Sequence, residues 1–111
     1  AYGRKFAEEN NCWLVLKGAP TLIFTPKGEM LINSAGNPGM AKFGTGDALT
    51  GIIAGFIAQS KEIESALISA VYLHSLSADL LLDKKTEYSF TAKDILENLP
   101  DAIKFIRKAI I

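Results

Sequence analysis

Apolar residues change their spacing along the chain, from strand-like near its start to helical afterwards. Residues 3–11 are mainly polar and are typical of a helix that ends at Asn10 or Asn11. No clear capping residue precedes them, so we expect the chain to begin inside an element. Residues 12–18 (CWLVLKG) are apolar at successive positions, which predicts a strand buried on both faces, as in a parallel sheet covered by helices.

A hairpin is predicted directly after this strand. Two apolar segments, residues 21–25 (TLIFT) and 29–33 (EMLIN), lie on either side of Pro26-Lys27-Gly28. Proline at the second position of a turn and glycine at the fourth favour a type I turn. The two segments are therefore expected to pair as antiparallel strands.

A helical pattern begins at Ala48, after a glycine-containing loop at residues 36–46. Gly51 and Gly55 share one face of the predicted helix, and each weakens it by about 1 kcal/mol relative to alanine. We expect that face to approach a neighbouring backbone closely. The apolar residues of this helix recur at helical spacing: they are Leu49, Ile52, Ile53, Phe56 and Ile57.

Two further helical regions complete the pattern. Residues 63–82 form one, and Thr91 or Ser89 caps a last region that Pro100 interrupts. The order of helix, strands and then helices places the chain in the α/β class with a short sheet. Because this sheet is small for so many apolar helix faces, we expect residues 1–111 to be the C-terminal part of a larger domain, without its N-terminal part.

The composition excludes one broad class of partner. Lys and Arg number 12 and Asp and Glu number 12, for a net charge of zero. A groove for nucleic acid normally has a basic surplus, so extended binding to a phosphate backbone is not expected. The hydrophobic fraction of 49% is high for a small domain, so the chain is either well buried or presents apolar faces to a partner.

The compartment follows from cysteine use and from the length of the apolar runs. Cys12 is the single cysteine, which excludes an internal disulfide framework and favours a reducing compartment. We interpret it as a buried thiol. The longest apolar run, residues 52–58, is too short to span a bilayer, which needs about 20 residues. A cytoplasmic protein with no membrane partner is therefore expected.

The glycine-rich segment Gly44-Thr45-Gly46-Asp47 lies where the long helix begins. The first N–H groups of a helix are unpaired and carry a partial positive charge, and glycines let them converge on one point. Gly44, Thr45 and Gly46 are therefore a candidate anion hole for phosphate. Asp47 has two interpretations: a cap of the helix, or a base that takes the proton of an attacking hydroxyl. The segment is not a Walker A loop.

A second candidate segment, residues 17–21 (KGAPT), follows the first predicted strand. Ligands gather at such positions in open α/β sheets. Lys17 could meet a phosphate, and Thr21 could donate a hydroxyl; the alternative is a solvated strand end with a tight turn. His74, the only histidine, is expected to be partly buried and hydrogen-bonded. No Cys, His, Asp and Glu residues have metal-ligand spacing, so no protein metal site is predicted.

Three segments together resemble the ADP/ATP-dependent NAD(P)H-hydrate dehydratases of the ribokinase-like superfamily. They are LVLKGAPTLI, GNPGMAKFGTGDALTGIIAGFIAQ and AVYLHSLSADLL, and the resemblance extends over residues 13–82. It implies a three-layer α/β/α fold. It also implies a lyase that uses ADP or ATP, with Mg²⁺, to phosphorylate the hydroxyl of hydrated NADH or NADPH, after which phosphate leaves.

The resemblance also implies roles for matching residues. Asp47 would contact the hydrated dinucleotide and act as the catalytic base, and Gly44, Thr45 and Gly46 would form the anion hole. The partners implied are ADP or ATP, the hydrated dinucleotide, the remaining half of the domain and further copies of the chain as a homo-oligomer. The residues that would bind the nucleotide are Lys17, Gly18, Ala19, Pro20, Thr21 and Gly46.

One departure and two alternatives belong beside this resemblance. Lys42-Phe43 stands where the family usually has Thr-Gly; Lys42 is expected to add positive charge near the phosphates, and Phe43 to stiffen the loop. A small-molecule kinase of the same superfamily, acting on a vitamin precursor or sugar alcohol, would use the same anion hole and base. The third possibility is a non-catalytic piece that packs against a partner through its apolar faces.

Overall fold

The computed structural model describes residues 2–42 and 44–110, without the side chains of residues 108–110. The expected effect of Phe43 on the loop lies outside the described residues. The chain divides into two compact units, one up to Ser34 and one from Ala35 onward. Their elements are α1 (Tyr2–Asn10), β1 (Leu14–Leu16), β2 (Thr21–Phe24) and β3 (Met30–Asn33) in the first unit, and α2 (Thr45–Gln59), α3 (Ile63–Leu81), α4 (Ala92–Glu97) and α5 (Leu99–Ile110) in the second.

The first unit contains the predicted hairpin. Its strands form an antiparallel sheet in the order β1-β2-β3, with Thr21 opposite Asn33 and Phe24 opposite Met30 across the hairpin. The N–H of Gly28 donates to the carbonyl of Thr25 at 3.0 Å, which closes the predicted turn. Gly28 itself has φ +89°, a conformation that glycine adopts without strain.

The prediction for β1 is only half confirmed. The strand exists, but it pairs antiparallel to β2 and lies at an edge of the sheet. Leu14 and Val15 are half-buried and Leu16 is 43% exposed, so burial on both faces is wrong for the described residues. The physical reason is that the described residues of the first unit include a single helix, α1, so a helix covers at most one face of this strand within that unit. Cys12, predicted to be buried, is half-buried.

The second unit is built around α3, which packs against α2, α4 and α5. One core cluster joins Ala78 and Leu81 of α3 to Phe90 and Ile95, with Met40 packed against it. Two polar side chains inside this packing are paired. The hydroxyl of Ser77 donates to the carbonyl of Ile95 at 2.6 Å, and the side-chain amide of Asn98 donates to the carbonyl of Ser77 at 3.0 Å.

The region around Pro100 is two helices rather than one. Thr91 caps α4 through a capping box: its hydroxyl accepts from the N–H of Asp94, and the Asp94 carboxylate accepts from the N–H of Thr91 at 2.9 Å. This backbone hydrogen bond lowers the pKa of Asp94. Pro100 lies in the first turn of α5, where its missing N–H breaks no helical bond.

One expectation about α2 is wrong. Gly51 and Gly55 were expected to meet a neighbouring backbone, but a Cβ built on either would have no described atom outside their own helix within 4 Å. Their absence of a side chain is therefore not explained by packing within the described residues. Among residues 2–42 and 44–110, no helix is both long and apolar enough to cross a membrane.

Candidate functional site

The backbone turns into α2 at Gly44. This residue is the N-cap, with φ +88° and ψ −10°, in the left-handed region that favours glycine. The N–H of Ala48 donates to the carbonyl of Gly44 at 2.9 Å, and the N–H of Thr45 donates to the carbonyl of Lys42 at 3.3 Å. A glycine N-cap has no side chain that could accept a hydrogen bond from the first turn. The mouth of α2 is therefore left without a side-chain cap.

Asp47 is exposed and lies in the first turn of α2. The N-cap is Gly44, so the interpretation of Asp47 as the capping residue is wrong. At the third helical position a carboxylate is favoured by the positive end of the helix dipole. The side chain is accessible from solvent, as a base that meets a substrate hydroxyl must be.

Thr45 begins this turn, and His74 of α3 contacts its backbone. Both are buried, at 8% and 3% exposure, and neither Oγ1 of Thr45 nor Nε2 of His74 has a hydrogen-bond partner among the described residues. Burial lowers the pKa of His74, and a hydrogen bond with the backbone of Thr45 partly opposes that effect. The expected hydrogen bond of His74 is confirmed, with the backbone of Thr45 as its partner, but the side chain is fully rather than partly buried.

The loop before α2 is fixed by an aspartate that sequence reasoning missed. Asp79 of α3 accepts from the N–H of Gly36 at 3.0 Å and from the side-chain amide of Asn37 at 2.8 Å. Asn37 then caps a short 3-10 turn, Pro38–Met40, by accepting from the N–H of Gly39 at 2.9 Å. No local pattern around Asp79 reveals this role, because its partners are more than 40 residues away.

Lys42 is held within the second unit. Its ammonium donates to the carbonyl of Phe90 and lies 4.5 Å from the centroid of the Phe90 ring, in a cation–π contact. The charge is thus held by the segment that precedes α4, and its expected contribution near the phosphates stays a prediction. It ties the glycine loop to the core of the second unit.

The second candidate segment belongs to the first unit. Lys17, Gly18, Ala19 and Pro20 are exposed and connect β1 to β2, and the Ala19–Pro20 peptide is cis. Thr21 is buried, and its hydroxyl donates to the carbonyl of Gly18 at 3.2 Å. This hydroxyl, predicted to serve a ligand, closes the turn in this structure. The exposed residues of the segment remain accessible to one.

Acidic side chains in the described residues do not gather into a metal site. No group of three or more His, Cys, Asp or Glu residues there could hold a metal ion. Asp47 and Asp79 act at different places, one in the first turn of α2 and the other on the loop at Gly36. What the site offers is backbone N–H groups, one exposed carboxylate and a braced loop.

Known proteins share both candidate segments of the chain. Residues 1–101 match a family model described as NAD(P)H-hydrate dehydratase. The bifunctional NAD(P)H-hydrate repair enzyme Nnr of Moorella thermoacetica is 39% identical over 96% of this chain and 20% of its own length.

Two solved structures carry the same fold. One is the ADP/ATP-dependent NAD(P)H-hydrate dehydratase of Bacillus subtilis, co-crystallised with ATP and Mg²⁺. It has a TM-score of 0.88 at 36% identity and covers 93% of this chain and 37% of its own. The other is a ribokinase-like superfamily protein of Enterococcus faecalis, with a TM-score of 0.79 at 44% identity, covering 91% of this chain and 34% of its own.

These matches confirm the α/β class and the ribokinase-like fold that the sequence predicted. The chain spans between 20% and 37% of the length of the three relatives, so it corresponds to part of their structures. With a match over residues 1–101 and a shared fold, the chain belongs to the NAD(P)H-hydrate dehydratase family.

Proposed function

We propose that the full-length protein carrying this chain dehydrates hydrated NADH or NADPH at the expense of ADP or ATP, and that this chain is the C-terminal part of its ribokinase-like domain. The observation that carries the proposal is the mouth of α2: a glycine N-cap at positive φ, followed by the exposed carboxylate of Asp47. Membership of the family supports the choice of substrate.

The nucleotide is assigned to two segments. Lys17, Gly18, Ala19 and Pro20 are exposed at the connection between β1 and β2, so a nucleotide can contact their backbone and the Lys17 ammonium. Thr21 would contribute through its backbone, because its hydroxyl already donates to Gly18. Gly46 lies in the first turn of α2, where a backbone N–H can meet a phosphate oxygen.

The reaction then follows from the first turn of α2. The hydrate hydroxyl oxygen forms a bond to the terminal phosphorus of the nucleotide while the bond from that phosphorus to the leaving oxygen breaks. Asp47 receives the hydroxyl proton, and the backbone of Gly44 and Gly46 would face the charge on the transferring group, with Thr45, whose N–H donates to the carbonyl of Lys42, between them. The phosphoester C–O bond breaks next; phosphate leaves, a ring proton is lost, and the double bond returns.

Magnesium would accompany the nucleotide. Mg²⁺ is commonly held by one or two carboxylates together with substrate phosphates, which fits a chain whose described residues include no cluster of metal ligands. Bound in this way, the ion would neutralise phosphate charge. Asp47 is the carboxylate closest in sequence to the proposed phosphate site. Its proposed role is to accept the hydroxyl proton and not to bind the ion.

Asp47→Asn tests the proposal in the full-length protein. Loss of a positioned base should lower kcat for dehydration by about 10²- to 10⁴-fold, measured by the return of NADH absorbance. Asp101→Asn is a matched control, because Asp101 is also an exposed aspartate in the first turn of a helix, α5. An Asp47→Asn enzyme as active as the control would remove Asp47 from the mechanism.

Two further measurements, of phosphorylated product and of nucleotide binding, separate the two alternatives. A kinase of the superfamily would accumulate a stable phosphoester of a vitamin precursor or sugar alcohol and would not restore NADH. A non-catalytic role would leave the protein without ADP or ATP binding.

The homo-oligomeric state and the cytoplasmic location stay predictions. Sedimentation of the full-length protein can check the first, and cell fractionation the second.

A further inference from the structure

The loop that leads to α2 is held by a relay of hydrogen bonds that starts on another helix. One carboxylate oxygen of Asp79 accepts from the N–H of Gly36 at 3.0 Å, and the other accepts from the amide of Asn37 at 2.8 Å. The carbonyl oxygen of the Asn37 side chain accepts from the N–H of Gly39 at 2.9 Å. We call these three bonds the Asp79 relay. Each uses a different donor, and two of them end on a charged acceptor, which makes them strong.

The relay is continued by the backbone towards α2. The N–H of Met40 donates to the carbonyl of Asn37 and that of Ala41 to the carbonyl of Pro38, both at 3.1 Å, which closes the 3-10 turn. Gly39 is packed so closely that a Cβ there would lie 2.5 Å from the Phe90 ring and 2.7 Å from the carbonyl of Glu87. This segment therefore has little freedom to shift while the relay is intact.

The last part of the path reaches the candidate anion hole. The Lys42 ammonium is bound to the carbonyl of Phe90, and the Lys42 carbonyl accepts from the N–H of Thr45 at 3.3 Å. Fixed points thus occur at Gly36, Gly39, Lys42 and Thr45. These contacts of the described residues restrain the loop on both sides of the turn into α2.

We propose that Asp79 is a positioning residue for phosphoryl transfer: it touches neither nucleotide nor substrate and acts through Asn37 on the loop that carries Gly44 and Asp47. The inference rests on the proposed function. Its effect should fall on the chemical step, because a misplacement of about 1 Å at a reacting group can cost about 10²-fold in rate. Nucleotide binding, assigned mainly to residues 17–21, should change much less.

Single substitutions break the relay in a way that can be worked out from donors and acceptors. In Asp79→Asn, the new side chain has one acceptor oxygen and one donor NH₂ group. If its oxygen accepts from the N–H of Gly36, its NH₂ group faces the NH₂ group of Asn37, and two donors meet. Turning the Asn37 amide over repairs that contact but points a donor at the N–H of Gly39. Every arrangement therefore loses one bond. In Asn37→Asp, two carboxylates face each other and repel.

The double exchange restores all three bonds. When Asn37→Asp is combined with Asp79→Asn, the new amide at position 79 accepts from Gly36 and donates to the new carboxylate at position 37. The second oxygen of that carboxylate accepts from Gly39. A residue that mattered only for its charge or bulk would not be rescued by moving the carboxylate to the other partner.

Amide hydrogen exchange tests the relay without reference to catalysis. Loss of the contact between positions 37 and 79 in Asp79→Asn uncouples the loop from α3 and lets it open more often. We therefore expect the amides of Gly36 and Gly39 to exchange faster in Asp79→Asn, even in the arrangement that keeps both of their acceptors, and to return to wild-type rates in the double variant. Asp83→Asn is the matched control, because Asp83 is exposed just beyond the end of α3. Unchanged exchange at Gly36 and Gly39 in Asp79→Asn would overturn the relay.

Kinetics of the full-length protein test the positioning role. Each single variant should lose about 10- to 100-fold in kcat, while KM for ADP or ATP changes by less than about 3-fold. The double variant should return to within about 3-fold of wild type. An active wild type whose kcat survives Asp79→Asn, or a double variant as impaired as the singles, would overturn this inference alone. An inactive wild type would overturn the proposed function, and this inference with it.

Discussion

Replacing Gly44 by alanine tests whether the turn into α2 depends on backbone conformation or on space. Gly44 has φ +88°, and a Cβ built there would lie 3.5 Å from the Cβ of Ala92, an ordinary van der Waals contact. Crowding therefore contributes nothing, and any loss of stability in Gly44→Ala must come from the backbone. Few glycines in the chain allow the two causes to be separated so cleanly.

The magnitude follows from two opposing contributions. An L-residue in the left-handed region costs about 1–2 kcal/mol, and a smaller, opposite contribution of about 0.4–1 kcal/mol comes from the lower entropy of the unfolded chain. Gly44→Ala should therefore destabilise by about 1 kcal/mol. Gly51→Ala has the opposite sign: Gly51 is inside α2, a Cβ there meets open space, and alanine should stabilise by up to about 1 kcal/mol.

Urea unfolding of the chain, followed by circular dichroism, measures both substitutions on one scale. The two glycine-to-alanine changes should differ by about 2 kcal/mol in the free energy of unfolding. Gly44→Asn is a second control, because asparagine tolerates the left-handed region better than alanine, and it should recover part of the loss. A Gly44→Ala chain as stable as Gly51→Ala would refute a requirement for positive φ at the mouth of α2.

Two predictions concern buried polar groups of α3. Because burial lowers the pKa of His74, the native imidazole stays neutral where the unfolded one, with a pKa near 6.5, takes up a proton. Its contribution to stability is complete above about pH 6.5 and falls by up to about 1.4 kcal/mol per pH unit as the pH drops towards the folded pKa. His74→Gln should flatten urea-unfolding stability between about pH 7 and pH 5; parallel curves would contradict this. Ser77→Ala removes the bond to the Ile95 carbonyl and should cost about 1–3 kcal/mol, whereas Ser65→Ala, at an exposed serine of the same helix, should cost less than about 0.5 kcal/mol; equal losses would show that the buried bond is not the cause.

Features that depend on neighbours in sequence could be predicted. The turn Pro26-Lys27-Gly28 combines a residue with fixed φ and one that accepts positive φ, and the structure has the hairpin there. Thr91 was one of two possible caps, and it has the acidic residue three positions later that completes a capping box. The start of α2 was likewise marked by its glycines and by the helical spacing that follows.

Features that depend on distant contacts could not. Nothing local distinguishes Asp79, which is bonded to the loop at Gly36, from an ordinary aspartate on a helix. The apolar run of β1 predicted burial on both faces. Apolar composition indicates that burial would be favourable for a strand, but it does not show which other elements pack against it. Gly51 and Gly55 raise the same difficulty, since a glycine in sequence does not show whether a neighbour is near it.

The uncapped start of α2 has a thermodynamic consequence. A side-chain cap contributes about 1 kcal/mol to a helix; α4 has one in Thr91, whereas Gly44 gives α2 none. An anion that binds at the first turn of α2 does the work of the missing cap as well as occupying a site. Occupancy and helical order there are linked reciprocally. If a bound anion favours the helical form of the turn by a certain factor, the anion binds the helical form more tightly than the frayed form by that same factor.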